Sequence, residues 1–181
     1  MLEFTSTRKR MSIIVRNMQT GMIELYSKGA DSIMEKLLDP SSDNDGFLSQ
    51  TKAYIDEFSR EGLRTLMLAK KDLSEREYET WAEKFASALT SLGAEREKLI
   101  QDISAEIETG MTLVGSTAIE DKLQDDVATT IVSLKQAGIK VWVLTGDKIE
   151  TAIQIGYATG LIDENMNQHI VDGTEFKKIS E

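Results

Sequence analysis

The chain has 181 residues, 31 acidic against 21 basic, a formal net charge of -10 and 40% hydrophobic residues, enough apolar content for one full domain or two small ones and unlike a disordered or fibrous composition. The negative balance argues against nucleic acid or an anionic membrane surface as the main partner. There is no cysteine and a single histidine, His169, which excludes disulfides, zinc-thiolate sites and histidine metal clusters. With no apolar run near the roughly 18 residues that span a bilayer, and no apolar signal-peptide core, the chain taken alone reads as cytosolic.

In chain order, residues 11–16 (MSIIVR) and 22–27 (MIELYS) are strand-like, with Asn17 and Gly21 marking the turn between them, so the opening reads as an antiparallel hairpin. Residues 31–38 (DSIMEKLL) predict a short amphipathic helix opened by Asp31, and "DPSSDNDG" after it is a surface loop. A helix through Tyr54, Ile55 and Phe58 ends at Gly62, and "LRTLMLAKK" follows with the composition of a strand. From Ser74 to about Thr109 the pattern is helical, with Tyr78, Trp81, Phe85 and Leu89 on one stripe, Leu99, Ile103 and Ile107 on another, and Gly93 between them. These stripes read as core packing rather than as a binding surface.

The character then changes. "MTLVGSTAI" (111–119), a helix over 124–137 closed by Gly138, "IKVWVLT" (139–145), a helix over 148–159 closed by Gly160, and a short "HIV" strand form a β-α-β-α-β series. That order implies a parallel α/β sheet with right-handed crossovers, unlike the opening hairpin. Two domains are therefore expected, 1–109 and 110–181, meeting near Gly110.

Two groups of residues could carry chemistry. Ligands of a parallel sheet bind beyond the carboxyl ends of its strands, where Thr145-Gly146-Asp147 sits, and the amides of a helix N-terminus favour an anion there. The alternative is that Asp147 merely caps the helix, with Glu150 completing a capping box. In the first region, "EFTSTRKRMSII" places Phe4 and the polar run Ser6–Lys9 at the start of a strand whose hairpin partner ends in "SKGAD". An aromatic ring, Lys9, Lys28, the flexible Gly29 and Arg64 of the next strand are the right types for an adenine base and its phosphates. Alternatively, Arg8, Lys9 and Arg10 are the solvated charges of an edge strand and Phe4 is core.

Taken together, these segments resemble the P-type ATPases, specifically the phospholipid-flippase class. "FTSTRKRMS" is similar to the adenine-pocket motif, "KGAD" to the lysine motif and "EGLRTL" to the strand bearing a phosphate-contacting arginine. "AIEDKLQDDV" and "AGIKVWVLTGDKIETAIQIG" resemble the hinge and phosphorylation-domain motifs; cation pumps tend to carry a proline-rich sequence where this chain has Glu120-Asp121-Lys122-Leu123-Gln124. Ala128 departs from a proline frequent in flippases. The resemblance implies an α+β nucleotide-binding domain, an antiparallel sheet with helices, incomplete at its N-terminus. Part of an α/β haloacid-dehalogenase-like phosphorylation domain follows it.

By that resemblance Phe4 stacks on adenine, Ser6 and Lys9 line the pocket, and Lys28 sits beside the base with Gly29 allowing close approach. Arg64 reaches toward the phosphates, and Thr145, Gly146 and Asp147 face the γ-phosphoryl group, with Asp121 and Lys122 as hinge candidates. ATP and Mg2+ are the implied cofactors, the metal ligands falling mostly outside this chain. The strings "DKTGT", "GDGxND" and "DGET" do not occur, so a fragment that binds ATP without reacting is expected, with no catalytic residue of its own. The implied parent moves phospholipid across a membrane from its cytosolic face, with a regulatory subunit as a further partner. A cation-transporting pump of the same superfamily, a phosphatase of the haloacid dehalogenase superfamily and a non-catalytic interaction module remain the rival readings.

Overall fold

The computed structural model describes residues 1–171 apart from 44, 45, 94, 121, 147 and 148. The chain divides into two compact units, Met1–Asp121 and Lys122–Glu181.

The first unit is built on a four-stranded sheet of order β1-β2-β3-β4, with β1 Arg10–Arg16, β2 Ile23–Gly29, β3 Arg64–Leu73 and β4 Thr112–Ile119. Each neighbouring pair is antiparallel. The expected hairpin is β1–β2, turned by Gly21 at φ 76°, a backbone conformation that suits a residue without Cβ. The predicted helix over 31–38 is shorter than expected: α1 spans Asp31–Met34 and a 3-10 turn continues over Glu35–Leu37. The other helices are α2 Phe47–Arg60, α3 Glu75–Thr90 and α4 Arg96–Ile107. α2 stops before Gly62, at φ 83°, and Gly93, at φ 116°, separates α3 from α4. Ser74 starts α3 by accepting a hydrogen bond from the Glu77 amide at 3.2 Å, satisfying one of the donors that a helix N-terminus leaves open.

Alternation along the strands sends Ile23 and Leu25 of β2, with Met67, Ala69 and Leu73 of β3, to one face of the sheet. There they pack with Met34, Ile55 and Ile107 from three helices. Of the predicted α3 stripe, Tyr78, Trp81 and Phe85 join this core, and the Trp81 indole donates to the Ile103 carbonyl of α4 at 2.9 Å. Leu89 stays exposed, as does Leu99.

Two expectations are corrected. Residues 111–119 do not open a parallel series, because β4 pairs antiparallel with β3, Thr65 opposite Ala118 and Met67 opposite Ser116. Its Leu113 packs on the same core, so burial against β3 decides the partner. The second unit has helices α5 Val127–Gln136 and α6 Ile149–Ala158, yet residues 139–146 and 169–171 form no strand. "IKVWVLT" has the apolar run of a strand buried on both faces, but no neighbouring strand among the described residues supplies a ladder, and Trp142 and Leu144 are 82% and 95% exposed. The ends of the two helices are linked instead: Lys135 of α5 donates to the carbonyls of Gly160 and Leu161 at 3.2 and 3.3 Å.

Because Ile55 is 1% exposed at the centre of the core, Ile55→Ala is expected to lower stability by about 2–5 kcal/mol. Leu92→Ser, at a side chain 99% exposed, is expected to change it by less than about 0.5 kcal/mol. Urea denaturation of the two variants checks both.

Candidate functional site

The N-terminal segment reaches the sheet through a single bridge. Leu2 pairs with Ser12, its amide donating to the Ser12 carbonyl at 2.7 Å and its carbonyl accepting from the Ser12 amide at 3.0 Å. Between these residues the chain loops out. Residues 6–8 form a turn, the Lys9 amide donates to the Thr5 carbonyl at 2.8 Å, and the Arg8 amide donates to Thr5 Oγ1 at 3.1 Å. Lys9 closes the loop at φ 49°, in the left-handed region that a side chain with Cβ rarely adopts. Phe4 and Ser6 therefore precede β1 in a loop rather than starting the strand. Phe4 is 61% exposed, so it is not core, and Ser6 and Lys9 are exposed as well.

The hairpin register brings this loop to the end of β2. Arg10 lies opposite Gly29 and Met11 opposite Lys28, and the Ala30 amide donates to the Lys9 carbonyl at 3.0 Å. Lys28 is exposed on the face away from the core, directly across from Leu68 of β3. Arg64 is four residues before Leu68, hence on that same face and roughly 13 Å further along at about 3.3 Å per residue. Lys9, Gly29 and Arg64 thus share one end of the sheet, and Lys28 and Arg64 share the face away from the core. Gly29 is buried, and a Cβ there would lie 2.6 Å from Arg10 Cβ and 2.7 Å from the Lys9 carbonyl oxygen. The close approach it permits is to its own hairpin partner.

Thr145 and Gly146 are exposed in the second unit, shortly before α6. Asp147, and with it the cap that would decide the geometry of the corner, lies outside the described residues, as does Asp121; Lys122 is exposed. Among the described residues no three His, Cys, Asp or Glu side chains are grouped to hold a metal ion.

A buried ionic cluster was not apparent in the sequence. Arg8 and Arg10 are not the solvated charges of an edge strand; both are buried, and between them lies the Glu108 carboxylate, 0% exposed at the end of α4. Arg8 Nη2 donates to Glu108 Oε1, Arg10 Nε donates to Oε2 at 2.7 Å and Ser12 Oγ to Oε1 at 2.5 Å. Ser27 Oγ lies 2.9 Å from Ser12 Oγ and can donate to it, so the polar cluster continues onto β2. The available signal was the spacing of Arg10 and Ser12, which strand periodicity places on the core side of β1; Arg8 precedes the strand in the turn, where no periodicity applies.

Residues 1–126, which include all four strands, match the family described as P-type ATPase, cytoplasmic domain N. The chain belongs to the P-type ATPases. Among its relatives in that family are "Probable phospholipid-transporting ATPase 12" of Arabidopsis thaliana, 47% identical over 94% of this chain, and "Probable phospholipid-transporting ATPase IM" of Homo sapiens, 48% identical over 94%. "Phospholipid-transporting ATPase 6" of Arabidopsis thaliana is 45% identical over all of it. The chain spans 14% of the length of each. No helix among the described residues is long and apolar enough to cross a membrane.

In this P-type ATPase domain Gly29→Ala is expected to destabilise the fold by about 1–3 kcal/mol, the cost of forcing extra volume into a filled space. It is also expected to shift the Lys9 and Arg10 amides in an NMR spectrum, because the added methyl group meets backbone rather than a flexible side-chain end.

Proposed function

We propose that the chain is the ATP-binding cytosolic part of a phospholipid-translocating P-type ATPase, which holds ATP for phosphoryl transfer to an aspartate elsewhere in the parent protein. The observation that supports this reading is the register: the loop's end at Lys9 meets the end of β2 at Gly29 and Ala30, and Lys28 and Arg64 lie on one face of the sheet. In this reading Phe4 offers a stacking surface to adenine, Ser6 and Lys9 border the base and ribose, and Lys28 supplies a cation beside them. Arg64 reaches the phosphates, where a planar guanidinium that stays charged suits two oxygens at once. The rise of roughly 13 Å between Lys28 and Arg64 leaves room for a nucleoside triphosphate to lie across the sheet end.

Phosphoryl transfer depends on positioning and charge stabilisation more than on covalent chemistry from side chains, so a domain whose task is to aim ATP is chemically sufficient. The second unit, in the same reading, is part of a haloacid-dehalogenase-like phosphorylation domain in which Thr145, Gly146 and Asp147 face the transferred phosphoryl group. Magnesium would be held mostly by residues elsewhere in the parent. The chain contains no "DKTGT" aspartate, so these residues bind rather than turn over ATP. Lipid passage belongs to a membrane-spanning part of the parent, on whose cytosolic side this chain acts, and a regulatory subunit would meet the parent. The names of the relatives favour phospholipid over cation as cargo.

Stacking of a base on an aromatic ring contributes roughly 1–3 kcal/mol, and a millimolar dissociation constant corresponds to about -4 kcal/mol. ATP is therefore expected to bind in the high-micromolar to millimolar range, by calorimetry or NMR titration, with Lys28→Ala weakening binding more than Thr145→Ala. The absence of saturable binding up to about 10 mM, well past that range, overturns the pocket. The reverse order of the two variants moves the dominant contact to the second unit.

A further inference from the structure

The buried cluster around Glu108 is a poor device for stability alone. It places two guanidinium groups against one carboxylate, and Arg8 Nε is buried without a hydrogen-bond partner. Ionic groups taken out of water recover little more than their desolvation cost, and an apolar trio of similar volume would stabilise the fold at least as well. What an apolar trio would not do is fix the path of the chain on either side of Phe4. Arg8 makes that connection with one side chain: Nη2 donates to Glu108, while Nη1 donates to the Glu3 carbonyl at 2.7 Å. The loop from Glu3 to Arg8 is thereby closed on itself and fastened to the end of α4. Ser6 lies on that turn and Lys9 follows it directly, its amide bonded back to the Thr5 carbonyl.

The geometry points to Glu108, acting through Arg8, as a positioning residue for the nucleotide. It sets the orientation of Phe4, Ser6 and Lys9 without touching the ligand, and affinity for ATP depends on it although it is wholly buried. This inference rests on the reading of the Phe4 loop as an adenine platform. It adds that the platform is preorganised by an ion pair reaching about a hundred residues along the chain, |i−j| being 100 for Arg8 and Glu108. Preorganisation raises affinity by removing the ordering cost that a loose loop would meet on binding.

The test uses the 181-residue chain and separates the clamp from its consequence. Arg8→Met leaves Arg10 and Glu108 as a one-to-one pair and releases Glu3; Glu108→Gln weakens both links. Ile103→Ala, on α4 but outside the cluster, serves as a core variant matched to them for loss of stability in urea. Trypsin cleavage after Lys9 and Arg10 in the native chain reports the loop with no nucleotide present, and ATP titration reports its use. Both cluster variants are expected to be cleaved at least about tenfold faster and to bind ATP about tenfold more weakly, a change equivalent to about 1.4 kcal/mol. Ile103→Ala is expected to alter neither. Should Glu108→Gln fail to fold, Arg8→Met alone decides. Unchanged cleavage overturns the clamp; faster cleavage with unchanged affinity overturns its role in positioning; equal effects in Ile103→Ala reduce the cluster to general stability. If the wild-type chain binds no ATP, the nucleotide reading fails and this inference falls with it, an outcome distinguishable because it appears before any substitution is made.

Discussion

One carboxylate, that of Glu108, organises the first unit. Held by Arg8, Arg10 and Ser12, it joins the N-terminal loop, the edge strand β1 and the end of α4 at a point closed to water. The next few residues are fastened from the other side. The Met111 amide donates to the Leu37 carbonyl at 3.0 Å and its carbonyl accepts from the Asp39 amide at 2.8 Å, while its side chain is fully buried. The short junction between α4 and β4 is therefore held from two directions, and that fixes where β4 enters the sheet. Removing one partner of such a buried pair leaves an uncompensated charge, which costs about 3–5 kcal/mol. This is comparable to the loss of a large core side chain.

The local elements were legible because their signals are local. Gly21 turns the hairpin, Gly62 and Gly93 sit where helices end or begin, and the α3 aromatics share one stripe at helical spacing. Three things were not legible, for one common reason. "MTLVGSTAI" has a strand's composition whichever partner it takes, and β3, which it pairs with, lies some forty residues back beyond two helices. Arg8 and Arg10 have the composition of a solvated edge, and only the fold supplies the distant carboxylate that makes them buried. "IKVWVLT" has the apolar run of a central strand, but a strand exists only with a neighbour to complete its hydrogen bonds. In each case the deciding contact is tertiary, and a window of sequence carries no trace of it.

The candidate site divides along the same line. Residue type pointed to Phe4, Lys9, Lys28 and Arg64, an aromatic ring with three cations; the register brings Lys9, Lys28 and Arg64 toward one end of the sheet, while Phe4 lies in the loop before β1. Gly29 also carried a readable signal, though its requirement is met by its own hairpin: a side chain there would strike Lys9 and Arg10. What residue type could not convey was the support behind the loop, since nothing about a glutamate in "AEIETG" distinguishes a surface charge from a buried anchor. The corner at Thr145 and Gly146 remains known by its sequence pattern, its aspartate being outside the described residues.

The Arg8–Glu108 pair also bears on the order in which the polypeptide can mature. Synthesis proceeds from N- to C-terminus, so both strands of the hairpin exist before α4 does, and such short-range pairing closes quickly. Arg8 at that stage has nothing to grip, because Glu108 has not yet been synthesised. A nascent chain that has reached the end of α3 therefore carries the Phe4 loop untethered. Only when α4 is complete does the loop acquire its anchor, so a segment made well before α4 is among the last parts of this unit to take its final form.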